Sequence, residues 1–133
     1  ASVPAVKSKF VAALVAVMAI VAILTAIAIP NYFQYIARGH RSEARATMTQ
    51  AAQWMERWRT ERNSYQNPQT GNPPVLPALL QNLPPPPAVA RYNITVVTPN
   101  PGSYTLSATP VGPMANDACG VLTLDNTGRR NSA

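Results

Sequence analysis

Cysteine, histidine and the acidic residues are the side chains most often put to chemical use, and in this sequence they are sparse and scattered. His40 is the only histidine; it sits among arginines without a nucleophile or a second metal ligand, which reads as a solvated surface residue. Cys119 is the only cysteine, so no disulfide can close within the chain as given. A lone buried thiol behaves as a small hydrophobe, and a partner lost from the C-terminal side is the other reading. Glu56 and Glu61 lie close to several arginines and read as salt-bridge partners rather than as an acid and base pair. Glycine-rich phosphate loops and zinc spacings are both missing. The sequence therefore carries no candidate catalytic, metal or cofactor residue and reads as a non-enzyme without cofactors.

What remains is charge. Two Lys and nine Arg face three Glu and two Asp, a net +6. Such an excess attracts phosphate-rich polymers, anionic lipid and acidic surfaces at low salt. Arg91, Arg129 and Arg130 fall near expected strand ends and are the candidate DNA contacts; the competing reading is that scattered arginines solvate a surface. Phe10, Tyr32, Phe33, Tyr35, Trp54 and Trp58 recur along helical segments, where rings pack far more often than they relay electrons.

These residues need elements to hold them. A length of 133 residues suits one compact domain with one appended element. Ten of the fourteen prolines lie between Pro68 and Pro101, which excludes helix interiors from the middle of the chain and segregates helix from the rest. The chain has no initiating Met and stops in a polar stretch, so both ends are expected to be processed, engineered or truncated.

Residues 10–29 are apolar except for Thr25, a run of 20 that rises about 30 Å as a helix, the thickness of a hydrocarbon core. A cleaved signal peptide is the rival, since Lys7 and Lys9 precede the run. The run is long for one, and it leads into Pro30, Asn31 and Tyr32 without a small-residue cleavage site. Ala12 with Ala16, and Ala22 with Ala26, set small side chains one turn apart and allow another helix close approach. With Phe10 and Pro30 they are the candidate helix-packing residues; the alternative is that Ala is simply common in such segments. Lys7 and Lys9 on one flank oppose Arg38, Arg41 and Arg45 on the other, so charge does not set orientation.

Pro30 is expected to kink or locally melt the helix. Beyond it, Ala44, Met48, Ala51, Met55 and Trp58 recur at helical spacing, with Arg41, Arg45, Gln53, Arg57, Arg59 and Glu61 largely on other sides. Helix formers run to Arg62, and Asn63 and Ser64 break the pattern. A proline-rich linker follows, with leucines enough for one short helical turn. Tyr92, Ile94 and Val96, then Tyr104, Leu106 and Ala108, alternate with polar neighbours as half-buried strands. The turn Pro99, Asn100, Pro101, Gly102 joins them as a hairpin. A third strand spans residues 121–124. Such a sheet needs a cover, and the stripe along residues 44–58 is the only sizeable candidate. The expected fold class is α+β: a long N-terminal helix, half hydrophobic and half amphipathic, packed on a small antiparallel sheet. The expected divisions are a tail at 1–9, a hydrophobic transmembrane or filament-core helix at 10–30, an amphipathic helix at 31–62, a proline-rich loop at 63–90 and a sheet region at 91–133.

With these pieces in place the sequence resembles the type IV pilins and their pseudopilin relatives. The resemblance is carried by residues 20–35 (IVAILTAIAIPNYFQY), by residues 38–46, by Gln53, Trp54, Met55, Glu56 and Arg57, and by Ala118, Cys119 and Gly120 through Leu122, Thr123 and Leu124 to Gly128. It implies a subunit that polymerises with identical copies through the hydrophobic helix, leaving the inner membrane with the help of pilus assembly machinery for an extracellular surface filament. It further implies a displayed domain that serves adhesion, motility or DNA uptake. In many members a cysteine placed like Cys119 pairs with one further along, and that partner is missing. Members also carry an aromatic first residue 21 places before the proline and a Glu four places later; those positions fall on Lys9 and Ala13. Phe10 sits one place late, with no Gly before it, and residues 1 to about 19 are expected to be altered relative to a natural pilin. The alternatives are a single-pass membrane-anchored periplasmic binding protein and a type II secretion pseudopilin.

Overall fold

Sixty-one residues in one helix, α1 (Ser2–Arg62), dominate the secondary structure. The structure is a computed structural model that describes residues 2–132, with side chains described from Val6 onward. Backbone contacts divide the chain into a unit up to Arg38 and a unit from Gly39.

The described residues of the first unit are helix alone. Helical structure extends ahead of the apolar run and continues through Pro30, so the local melting expected at that proline does not occur. A helix-interior proline removes one backbone hydrogen bond but need not unwind its neighbours. Every residue of the apolar run is exposed, Phe10 at 69% and Met18 at 71%. Its one hydroxyl is satisfied locally: Thr25 Oγ1 donates to the Val21 carbonyl at 2.6 Å, as a polar side chain in an apolar setting must.

In the second unit α1 supplies the buried stripe Ala44, Met48, Ala51 and Met55. Trp58 is half-buried beside the stripe instead of within it. The helix stops where Asn63 takes a left-handed conformation, φ 57°, and its N–H donates to the Arg59 carbonyl, a C-terminal cap open to Asn as well as Gly. The loop that follows contains the short helix α2 (Ala78–Gln81) and a two-residue strand, β1 (Asn82–Leu83). Then come β2 (Tyr92–Asn100), β3 (Ser103–Pro110), β4 (Leu122–Asp125) and β5 (Arg130–Ser132). They form one antiparallel sheet in the order β1-β2-β3-β4-β5. Five strands thus replace the three expected. The two added are edge strands too short to leave a periodic signal.

The hairpin between β2 and β3 turns at Pro101 and Gly102, where the Asn100 side chain accepts from the Gly102 N–H at 2.9 Å. Tyr92, Ile94, Tyr104, Leu106, Ala108, Leu122 and Leu124 point inward from the sheet, joined by Tyr65, Leu76 and Met114. Val96 is only half-buried, and beyond it the register shifts before the turn, where Thr98 is buried in its place. Tyr65 meets Tyr104 edge to face, centroids 4.7 Å apart, and burial pushes the Tyr104 phenol up to about 12. Gly112 has φ +55°, and a Cβ there would meet the Ala90 carbonyl oxygen at 2.9 Å, so the chain needs glycine at that crossing.

One ion pair closes the unit across 76 residues of sequence. Arg41 Nε donates to Asp117 Oδ2 at 2.7 Å and its Nη2 to the other carboxylate oxygen, a bidentate fork. The Asp117 side chain is 6% exposed and that of Arg41 19%. Arg41 therefore does not stand in solvent among the outward arginines. Glu61 pairs with Arg62 at 2.8 Å as expected. Glu56 instead accepts from the Tyr65 hydroxyl at 2.6 Å, a partner beyond the helix end.

Hydrogen bonding from Arg41 holds the Asp117 carboxyl below the ordinary carboxylate range. A depressed folded-state value means that this stabilisation is fully present above the unfolded aspartate value of about 4 and is lost as pH falls through the lower folded value. Asp117→Asn should cost about 2 kcal/mol, the partial exposure of Arg41 keeping it under the fully buried case, and should flatten that part of the acid dependence. Urea unfolding of the full chain in detergent micelles, followed by tryptophan fluorescence from neutral to acid pH, measures both.

Candidate nucleic-acid interface

Arg45 and Thr49 lie one turn apart beside the buried stripe of α1, on the flank that faces β4 and β5. Thr49 Oγ1 donates to the Arg45 carbonyl at 3.0 Å, the ordinary resting place of a helical threonine hydroxyl. The same oxygen accepts from Arg130 Nη2 at 3.1 Å. One hydroxyl thus fixes the guanidinium of β5 against the helix.

Between these elements runs a groove of about 320 Å³, lined by Arg45, Met48, Leu122, Leu124 and Arg130 with the polar Thr123, Asn131 and Ser132. Two arginines enter the lining and, among the described residues, no carboxylate does. The nearest acid by chain position, Asp125, is occupied by its own turn. Its Oδ1 accepts from Thr127 Oγ1 and from the backbone N–H groups of Thr127 and Arg129, and these bonds, the Thr127 hydroxyl first, hold its carboxyl below the usual range. A cleft with two cations, one of them held by a hydroxyl, with further hydroxyls and an amide and no acid among its described lining residues, is suited to a phosphate-bearing ligand.

The arginines expected to act together are not brought together. Arg130 lines the groove, and Arg129 enters the turn through its backbone N–H bond to Asp125. Arg91 lies at the other side of the sheet, its N–H donating to the Leu83 carbonyl and its own carbonyl accepting from Val111. With β3 and β4 between β2 and β5, the lateral separation is about 14 Å at the usual strand spacing. Arg45 is the member sequence reasoning missed. Its signal was available: it stands next to buried Ala44 on the helix that had to cover the sheet, so it had to overlook one side of that sheet.

Of the remaining candidates, Cys119 is half-buried with a free thiol, and its backbone N–H contributes a bond to Asp117. His40 Nδ1 lies 3.9 Å from Glu43 Oε2. Phe10, Ala12, Ala16, Ala22, Ala26 and Pro30 are all exposed on the first unit.

Residues 30–123 match the family described as type IV minor pilin ComP, DNA uptake sequence receptor. No curated protein matches the chain. Among solved structures, the Neisseria meningitidis non-core minor pilin PilV is similar at 23% identity and a TM-score of 0.54, over 74% of this chain and 88% of that one. A type IV pilin from Shewanella oneidensis aligns at 25% identity and a TM-score of 0.48, over 71% of this chain and 89% of that one.

Inorganic phosphate should shift the side-chain Nε–H resonances of Arg45 and Arg130 more than those of Arg91 and Arg129. Added sodium chloride should reverse the shifts. NMR titration of the full chain in micelles checks the ranking; equal shifts at all four arginines would deny the groove any special role.

Proposed function

The chain belongs to the family of type IV minor pilins related to ComP, and from that premise we propose that it is a pilus subunit that captures DNA in the Arg45–Arg130 groove. The observation that carries the reading is a cleft lined by two arginines, and by no acid among the described residues, in which one threonine hydroxyl holds a strand guanidinium against a helix. Phosphates seated there would release counterions, so binding would weaken steeply with salt. Met48, Leu122 and Leu124 in the same lining exclude water from one side and strengthen each charged contact. Thr123, Asn131 and Ser132 supply neutral donors and acceptors for a sugar or base edge.

Pilins assemble into pili with other pilin subunits, and this chain would join them through residues 10–30, entering from the inner membrane by way of the pilus assembly machinery. Ala12, Ala16, Ala22 and Ala26 would let neighbouring helices approach closely, with Phe10 and Pro30 at the ends of the contact. The filament would carry the groove to the cell exterior. Adhesion and motility fit the family as well, and the role of such a subunit is structural and recognitive rather than enzymatic. A membrane-anchored binding protein that stays monomeric is the second reading, favoured by Ala13 where pilins of this family carry Glu. Electron microscopy of material sheared from cells separates the two: labelled chain in filaments supports the subunit, and label retained wholly with membranes supports the anchor.

The DNA reading is tested by fluorescence anisotropy with a short duplex and the full chain in nanodiscs. Arg45→Gln combined with Arg130→Gln should weaken binding at every sequence and reduce the salt slope by about 2, one phosphate contact for each guanidinium. No binding at low salt, or an unchanged slope in the double variant, ends the proposal.

A further inference from the structure

The flank of α1 away from Arg45 carries a different surface. Trp54 and Trp58 stack one turn apart, centroids 5.5 Å apart and planes inclined by 29°. The Arg62 guanidinium lies 3.7 Å from the Trp58 ring centre while pairing with Glu61. Trp58 Nε1 also donates to the Gln66 carbonyl at 3.4 Å, which ties that indole to the loop beyond the helix. A cleft of about 300 Å³ opens among Trp54, Arg57, Trp58, Glu61 and Arg62.

The charges around this cleft are nearly all committed. Glu61 is taken by Arg62, Glu56 accepts from the Tyr65 hydroxyl, and Arg59 both bonds that hydroxyl and lies over its ring. Arg57 alone is exposed in the lining without an anionic partner among the described residues. The vacant chemistry is thus one aromatic surface and one unpaired cation on adjacent turns. A flat ring joined to an anion satisfies both. Stacking on aromatic side chains, with cationic groups tracking the backbone, is how single-stranded nucleic acid is held without regard to sequence. Met55 and Tyr65 fill the adjacent core, and both indoles, though partly buried, keep some of their surface open to solvent.

We propose that the Trp54–Trp58 ledge binds unstacked bases of single-stranded DNA, Trp54 receiving a base and Arg57 the adjoining phosphate. The proposal rests on the DNA-capture reading for its ligand but not on the Arg45–Arg130 groove. It gives the domain two DNA surfaces on opposite flanks of one helix, one for duplex phosphates and one for exposed bases.

The chain has two tryptophans and both lie here, so intrinsic fluorescence reports this site directly. Oligothymidylate should quench it in the full chain in nanodiscs, whereas a blunt duplex should bind with little quenching. By anisotropy of labelled oligothymidylate, Trp54→Ala and Arg57→Gln should each weaken binding about tenfold. Trp54→Phe should recover part of the loss, and duplex affinity should hold throughout. Arg57 is exposed, so its variant keeps the test valid should Trp54→Ala fail to fold. Duplex binding without oligothymidylate binding overturns this inference and leaves the groove standing. Failure of every DNA to bind overturns both. Oligothymidylate binding that ignores Trp54 and Arg57 also overturns it.

Discussion

Twenty residues of apolar helix, every one of them exposed, set the terms for everything else in this molecule. Burying one Val, Leu or Ile side chain is worth about 1.5–3 kcal/mol, and residues 10–29 hold more than ten such side chains or larger, all exposed. Left in water, that surface would outweigh the whole stability of a small domain, about 5–15 kcal/mol. The helix must be covered by lipid or by other helices. Thr25 already has its hydroxyl bonded within the helix, and the alanines leave room for a neighbour.

The second unit answers a different need. Its sheet has one apolar face, and small or flexible residues on α1 (Ala44, Met48, Ala51 and Met55) bring the helix onto it. Because that stripe is narrow, the helix keeps two free flanks, and their chemistries differ. One meets β5 through Thr49 and Arg130 and presents the guanidinium groups of Arg45 and Arg130. The other ends in stacked indoles and a guanidinium without an anionic partner among the described residues. A single amphipathic helix thus serves as cover for the core and as the shared wall of the two surfaces proposed to bind DNA, and the Arg41–Asp117 fork anchors the loop before β4 to it.

Periodicity decided what could be read in advance. The apolar run, the stripe as far as Met55, the stop after Arg62 and the hairpin at residues 99–102 are local patterns, and each appears in the fold. β1 and β5 have two and three residues; they exist because a neighbouring strand offers an edge, which no local signal announces. Arg41 was within reach. It continues the spacing of Ala44, Met48 and Ala51, and a cation on a buried stripe demands an acid, of which the C-terminal half has only Asp117 and Asp125. The place of Arg45 beside Ala44 is local, but its sharing a groove with Arg130 depends on strand register, which nearness to strand ends does not reveal.

The claim beneath all of this is that the exposed half of α1 takes its cover from outside the chain. Flotation of the full-length protein through a density gradient with and without phospholipid vesicles, in the absence of detergent, addresses it directly. The account predicts that the protein rises with the vesicles and resists alkaline carbonate, and that without them it sediments as large assemblies. A monodisperse, soluble monomer that stays apart from the lipid would contradict it.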